Sequence, residues 1–327
     1  MPKPKTTFMF PGQGSQQPGM ATRVLQVSPS SKKIFDEANE VVKFDLLKLC
    51  TIGSEAELTN TIVTQPAIVT TSLALLNALN EKLSTKGVTI LPAILSGHSL
   101  GLLTAAIASN SLTFSQGIEI ASKRADIMQK NYSASPLGMT SIIGLNINQV
   151  TEICNEATQS HVERVDIANL NLSNQFVISG HLKAIHHAET IAKAMHAKVI
   201  SLKLKVSSHT SLHKDQSNQF AAFLNDYNFL EPDTPILSNI SSKLLDSAEK
   251  IKNELSNQIH KPVYWYKNME ILSLEKISYF IEVGPGHTLS RLVKRYNRDA
   301  TTLAISKEIV EPTPFTNLLN MKGLSNG

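Results

Sequence analysis

The sequence predicts an α/β fold in which a large unit with a parallel central sheet carries a smaller inserted unit. Three observations lead there. Residues 87–118 contain no Asp, Glu, Lys or Arg, and an uncharged stretch this long marks the centre of a sheet covered on both faces. Inside it, an apolar, partly β-branched run at residues 88–95 leads into Gly97-His98-Ser99-Leu100-Gly101, and an apolar, alanine-containing run continues to residue 109. That order reads strand, turn, helix. From residue 139 the pattern changes to βαββαβ over roughly 65 residues, the order of a ferredoxin-like unit.

Taken in order, residues 6–10 form a short apolar strand that runs into Pro11-Gly12-Gln13-Gly14-Ser15-Gln16. This tight turn can hold backbone close to a ligand, but it matches neither G-x-G-x-x-G nor a Walker loop. Helices are expected over residues 31–49 and 66–83, the second with Pro66 in its first turn. After the strand at 88–95 and the helix at 100–109, a further helix covers residues 115–131. The small unit has strands at 139–145, 162–171, 175–180 and 198–205, and helices at 148–157 and 182–197. The polar turn Leu172-Ser173-Asn174 joins its second and third strands. A helix to about residue 227, a strand at 235–239, a helix at 248–259 and a strand at 278–283 follow. That strand ends in Gly284-Pro285-Gly286, and a helix at 288–298 closes the fold. The predicted organisation is therefore an α/β-hydrolase-like catalytic domain from residues 1–133 and 206–310, a ferredoxin-like domain at 134–205, and a C-terminal tail at 311–327. Pro312 and Pro314 argue against regular structure in that tail.

Composition narrows the function. With 42% hydrophobic and 18% charged residues, the chain of 327 residues is globular and not disordered. A net charge of +4 is too mild for a nucleic-acid binder. The N-terminus has no apolar core of a secretory signal, and Pro92 with the glycine turn breaks residues 87–118 too often for a membrane span. Cys50 and Cys154 match no metal or redox spacing, which suits reduced thiols in the cytoplasm.

The chemistry centres on Ser99. A serine flanked by glycines two residues away on either side, between a strand and a helix, sits on a sharp turn that pushes its hydroxyl into a cleft. The helix behind it offers unpaired N–H groups to a developing oxyanion. The plainer alternative is an N-cap serine in a tight loop. Of ten histidines, His209 is the candidate base, because it lies where the chain re-enters the large domain. His98 is expected to pack behind the turn, and His181, His186, His187 and His196 to lie on solvated surfaces. His213 stands four residues from His209, but no third ligand completes a metal site. At helical spacing Ile120, Arg124, Ile127 and Met128 share one face, so Arg124 sits in an apolar stripe. A buried arginine requires an anion, either a ligand or a protein carboxylate, and the pattern leaves both open.

Several motifs then converge. Phe8-Met9-Phe10-Pro11-Gly12-Gln13-Gly14-Ser15-Gln16, Thr64-Gln65-Pro66, Gly97-His98-Ser99-Leu100-Gly101, Arg124 with Met128-Gln129, Asn169-Leu170-Asn171, Ser208-His209 and Gly284-Pro285-Gly286 occur in the order of one family. The chain resembles, nearly end to end, the malonyl-CoA:acyl-carrier-protein transacylases, particularly the free-standing, trans-acting acyltransferases of polyketide synthases. The resemblance implies Ser99 as nucleophile and His209 as base, with the histidine oriented by a backbone carbonyl at Gln258. It implies an oxyanion hole from the N–H groups of Gln13 and Leu100. It places Arg124 on the free carboxylate of a malonyl group, which favours a ligand over a structural ion pair, with Gln65 and Gln258 lining the acyl pocket. Malonyl-CoA would acylate Ser99, and the phosphopantetheine thiol of an acyl carrier protein would take the group. No metal or redox cofactor is implied, no membrane or nucleic acid is involved, and a monomer suffices. Carrier proteins are acidic, and Arg291, Lys294, Arg295 and Arg298 are candidates for a basic docking face, the alternative being a solvated helix face. Two departures stand out. Leu102 replaces the family's usual Glu and is expected to make the mouth of the site more apolar, loosening malonyl selection. Asn171-Leu172-Ser173-Asn174-Gln175 replaces Asn-Ser-Pro-Gly-Gln. The competing readings are a hydrolase of the same fold that strips acyl groups from carrier proteins, a non-catalytic docking relative, and a general esterase.

Overall fold

The computed structural model describes residues 4–134, 136–158, 163–202 and 207–309. The first part of the chain gives β1 (Lys5–Phe10), α1 (Thr22–Val27), α2 (Lys32–Val42), α3 (Leu46–Ile52), α4 (Glu55–Leu58), α5 (Thr61–Ser84), β2 (Ile94–Gly97), α6 (Gly101–Ala108) and α7 (Phe114–Ala134). A second group follows: β3 (Leu137–Ile143), α8 (Ile147–Ala157), β4 (Val165–Leu172), β5 (Gln175–His181), α9 (Leu182–Ala194) and β6 (Lys198–Ser201). The chain ends with α10 (Lys214–Leu224), β7 (Ile236–Leu237), β8 (Leu244–Leu245), α11 (Ala248–Gln258), α12 (Trp265–Leu274), β9 (Ile277–Glu282), α13 (Thr288–Tyr296), β10 (Thr301–Ala304) and α14 (Ile305–Glu308).

Two sheets organise these elements. The larger has the order β10-β9-β1-β2-β7-β8 and is parallel except for β8, which runs antiparallel to β7. Residues 6–10 of β1 are all buried, as a strand covered on both faces requires. Register pairs Phe10 with Gly97, so β1 and β2 end together at the elbow. The smaller sheet has the order β4-β5-β3-β6 and is antiparallel throughout. With its two helices it has the ferredoxin-like arrangement. Its own core gathers Ile142, Val150, Phe176, Ile178 and Ile185. The sheets are tied where β4 meets the segment before α12: Val263 donates to Ala168 O at 2.9 Å and accepts from Leu170 N–H at 2.8 Å.

Several boundaries differ from the sequence expectation. The helix at 31–49 is two helices, because Lys43 takes a left-handed φ of 62° and Asp45 caps the second by accepting the Lys48 N–H. The helix expected at 66–83 starts at Thr61, capped by Asn60, so Pro66 lies inside it. The strand at 88–95 shrinks to Ile94–Gly97: Leu91 is 83% exposed and Pro92 has no N–H to donate. Helix α12 and the short strands β8 and β10 carry no clear periodic signal and were not expected. The last expected strand of the small unit stops at Ser201; its continuation, the boundary at residues 205 and 206, and the tail at 311–327 fall outside the described residues. Helix α5 is long and apolar enough to cross a membrane. Its stretch from Thr64 to Leu75 is instead buried within the protein, as a core helix must be.

Candidate active site

Ser99 sits between β2 and α6 with a φ of 52°, a left-handed conformation that costs a non-glycine residue on the order of 1–2 kcal/mol. The flanking glycines make the turn possible. A Cβ on Gly97 would lie 2.1 Å from Gly101 C, and one on Gly101 would lie 1.9 Å from Phe10 O. Asn239 clamps the strained turn from beneath. Its Oδ1 accepts the Ser99 N–H at 2.8 Å and its Nδ2 donates to Gly97 O at 2.7 Å. Buried Glu254 holds Asn239 in turn, accepting its N–H at 2.7 Å. Neither residue was singled out in the sequence. The available signal was an asparagine at the carboxyl end of an expected strand.

His209 Nε2 lies 2.7 Å from Ser99 Oγ. Its Nδ1 lies 2.8 Å from the Gln258 carbonyl and 3.2 Å from that of Lys261. Carbonyl oxygens only accept, so Nδ1 carries the proton and Nε2 is free to receive one from the serine. Burial, and then the charge of Arg124, push the imidazole pKa down to about 3, so it is neutral at pH 7. No carboxylate is needed to set the tautomer, because the backbone does it.

Arg124 is 2% exposed. Its Nη1 donates to Gln65 Oε1 at 3.0 Å, and its Nη2 reaches Ser99 Oγ at 3.4 Å and Gln258 Oε1 at 3.5 Å. Among the described residues its Nε finds no acceptor and no carboxylate pairs with it. Burial alone lowers its pKa to about 10, which leaves it charged. Ser99, His209 and Arg124 share a cavity of about 400 Å³ with Gln13, Met128 and Asn171. The N–H groups of Gln13 and Leu100 have no acceptor among the described residues.

Three sequence expectations need correction. His98 does not pack behind the turn; it lines the cavity, its Nε2 lies 2.9 Å from Asn171 Oδ1, and its ring meets Trp265 at 5.3 Å. Gln65 and Gln258 stand behind the guanidinium and off the cavity wall, because their amide oxygens are turned onto Arg124. Leu102 is 0% exposed and belongs to the main core, so it does not reach the mouth of the site. His213 is buried and lies 2.9 Å from Ser207 Oγ, and no group of metal-ligating side chains is found among the described residues.

A hydroxyl at a strand–helix elbow, a neutral imidazole against it and orphan N–H donors beside it define a site equipped for acyl transfer on an α/β scaffold. The sequence matches the acyl transferase domain family over residues 7–307. It is 35% identical over 303 residues to the malonyl CoA-acyl carrier protein transacylase of Bacillus subtilis, covering 92% of this chain and 93% of that one. The Salmonella typhimurium transacylase is 32% identical over 301 residues, covering 92% and 95%. Among solved structures, the transacylase of Coxiella burnetii superposes with a TM-score of 0.88 at 30% identity, covering 99% of both chains. A malonyl-transacylase solved in complex with its type II polyketide synthase acyl-carrier protein gives 0.86 at 30% identity, covering 94% of this chain and 99% of that one. The chain belongs to the malonyl-CoA:acyl-carrier-protein transacylase family.

Proposed function

We propose that this protein moves a malonyl group from malonyl-CoA to the phosphopantetheine thiol of an acyl carrier protein, through an ester on Ser99. The observation that carries this reading is Arg124: a buried cation with no carboxylate partner among the described residues, whose Nη2 stands 3.4 Å from the Ser99 oxygen. Only an acyl group with its own negative charge completes that site. The Ser99 oxygen attacks the thioester carbonyl while His209 Nε2 takes its proton. The tetrahedral oxyanion is received by the N–H groups of Gln13 and Leu100; each donor of this kind is worth about 3 kcal/mol in known cases. Collapse breaks the C–S bond, and His209 returns the proton to the departing CoA thiolate. The carrier-protein thiol then gives its proton to His209 and attacks the ester; as the C–O bond breaks, His209 returns that proton to the Ser99 oxygen, 2.7 Å away, and the hydroxyl is restored. Arg124 grips the malonyl carboxylate throughout, and Gln65 and Gln258 aim the guanidinium. The imidazole and the N–H donors supply proton transfer and charge stabilisation, so the reaction calls for no metal or redox cofactor.

The product feeds fatty acid or polyketide synthesis, and the setting is cytoplasmic. Cys50 and Cys154 suit it, both buried free thiols whose pKa burial pushes up to about 12. Intact-protein mass spectrometry tests the reading. Malonyl-CoA should add one malonyl mass to the wild type and none to Ser99→Ala, and holo carrier protein should remove it. Release of free malonate without transfer would establish the hydrolase instead.

A further inference from the structure

His209, like Ser99, is held in a strained conformation. Its φ is 65°, a left-handed value that a non-glycine residue keeps only where its surroundings over-determine it. Those surroundings are the carboxyl end of α11. A helix ends on carbonyls that its own N–H groups do not reach, and here they are used outside the helix. Gln258 O accepts the His209 Nδ1–H at 2.8 Å, and beyond the last turn Lys261 O receives it at 3.2 Å. Ile259 O accepts the His209 backbone N–H at 2.6 Å. One turn earlier, Ser256 O accepts the hydroxyl of Ser217, which lies on α10 just downstream of His209. The turn at residues 258–261 has bonds of its own, from His260 N–H to Asn257 O at 3.2 Å and from Lys261 N–H to Gln258 O at 3.4 Å, at and beyond the long end of the ordinary range.

We propose that His260 and Ser217 are positioning residues for the base: their bond ties α10 to the carboxyl end of α11, so that the carbonyls there keep His209 in its Nδ1–H tautomer. The inference rests on the transferase reading for what His209 does and adds what keeps it in place. His260 Nδ1 lies 2.8 Å from Ser217 Oγ. The serine has one hydroxyl proton, and the Ser256 carbonyl can only accept it, so Ser217 Oγ accepts from His260 Nδ1–H. Burial, and then the charges of Lys214 and Lys261, hold the His260 pKa below its ordinary value, so the ring is neutral at pH 7 and this tautomer donates from Nδ1 alone. His260 stands between Gln258 and Lys261, the two residues whose carbonyls hold the base. The bond therefore closes a ring: from His209 along the chain to Ser217, across to His260, and through the Gln258 and Lys261 carbonyls back to His209. Both partners are buried, Ser217 at 1% and His260 at 6% exposure, where a lost partner is not replaced by water. Neither lines the acyl cavity, so they act on the base and not on the acyl group.

The test uses the full chain with His260→Leu, His260→Asn and Ser217→Ala. Asparagine places its amide nitrogen where the histidine has Nδ1, so it keeps the donor and loses the ring. In His260→Leu and in Ser217→Ala, kcat for malonyl transfer should fall roughly ten- to hundredfold at unchanged KM for malonyl-CoA, as expected when a reacting group is misplaced by a fraction of an ångström. His260→Asn should recover most of that loss. His260→Leu with Ser217→Ala should be no worse than either alone, because the two act as one bond. An unchanged kcat in both single variants overturns the proposal. So does a loss that appears as KM alone, or one that His260→Asn shares in full, which would mean that the bulk of the ring matters and its bond does not. Should His260→Leu fail to fold, Ser217→Ala removes only one oxygen and carries the same expectation. A second readout needs no turnover: the nitrogen NMR spectrum of histidine-labelled protein, with the His209 signals assigned by their loss in His209→Gln. The wild type should show His209 protonated at Nδ1, and His260→Leu and Ser217→Ala should show a mixture of tautomers. If the wild type transfers no malonyl, the transferase reading fails, and the spectrum still decides: a mixture in the variants supports the positioning role, and an intact Nδ1–H in both overturns it.

Discussion

Arg124 carries its charge among amide, hydroxyl and thioether groups, an arrangement that stabilises a bound carboxylate better than it stabilises the empty fold. Arg124→Ala is therefore expected to lower kcat/KM for malonyl-CoA by at least about a hundredfold, since two charge-assisted bonds are lost at roughly 1.5–3 kcal/mol each. Acetyl transfer should be spared or improved. Thermal stability should hold or rise, because no ion pair is broken; a steep drop in melting temperature with malonyl preference intact would mark the arginine as structural. The same charge acts on His209. The histidine must be neutral to accept the serine proton, so activity falls as pH drops through its pKa, and burial plus Arg124 place that point well below the ordinary 6.5. The acid limb of kcat/KM is expected far below pH 6 in the wild type. In Arg124→Ala, read with acetyl-CoA, it should move upward. Linkage runs the same way: with the folded pKa depressed, His209 contributes stability that is complete above about pH 6.5 and lost as pH falls towards 3. A limb that stays put in the variant would show that burial alone sets the imidazole.

At the scale of the element, the strand–turn–helix unit works because side chains outside it hold its strained residue. Asn239→Ala would leave the Ser99 N–H and the Gly97 carbonyl unpaired in the interior, at about 1–3 kcal/mol each. The expected outcome is a stability loss of about 2–6 kcal/mol in urea unfolding, together with a fall in kcat as Ser99 leaves its left-handed φ. Stability lost at full kcat would mean the glycines alone shape the turn. The elbow was legible in the sequence because its determinants are local: two glycines, a serine and an apolar run on each side. So was the ferredoxin-like order, which rests on alternating periods and one short turn. The clamp was not legible, since Asn239 and Glu254 meet Ser99 only through the order of strands in the sheet. The same holds for Leu102. Its place in the chain suggested the mouth of the site, but the first turn of α6 points it into the core. Helix α12 escaped notice because it is short, and its dominant side chain, Trp265, packs against His98 instead of a periodic helical face.

At the scale of the whole molecule, the site lies on the seam between the two sheets, and each contributes one side. Ser99 and Arg124 come from the parallel unit, while Asn171 and Gln175 come from the antiparallel one. His209 follows the small sheet in sequence, yet its N–H bonds Ile259 O at 2.6 Å and its Nδ1 bonds Gln258 O, so it is anchored to the large unit. The serine–histidine pair should therefore survive a loosening of the seam, whereas the acyl cavity, which spans it, should not. The His98–Asn171 bond at 2.9 Å crosses the seam at the residue next to the nucleophile in sequence. Asn171→Ala is expected to raise the KM for malonyl-CoA roughly tenfold, one lost buried hydrogen bond, while the rate of Ser99 acylation at saturation falls much less. Trp265 is the single tryptophan in the chain and lies against His98, so its fluorescence should report the same loosening in the absence of substrate. A collapse of the saturated acylation rate at unchanged KM would show the opposite: that the small sheet holds the serine–histidine pair itself and does not merely close the cavity around the acyl group.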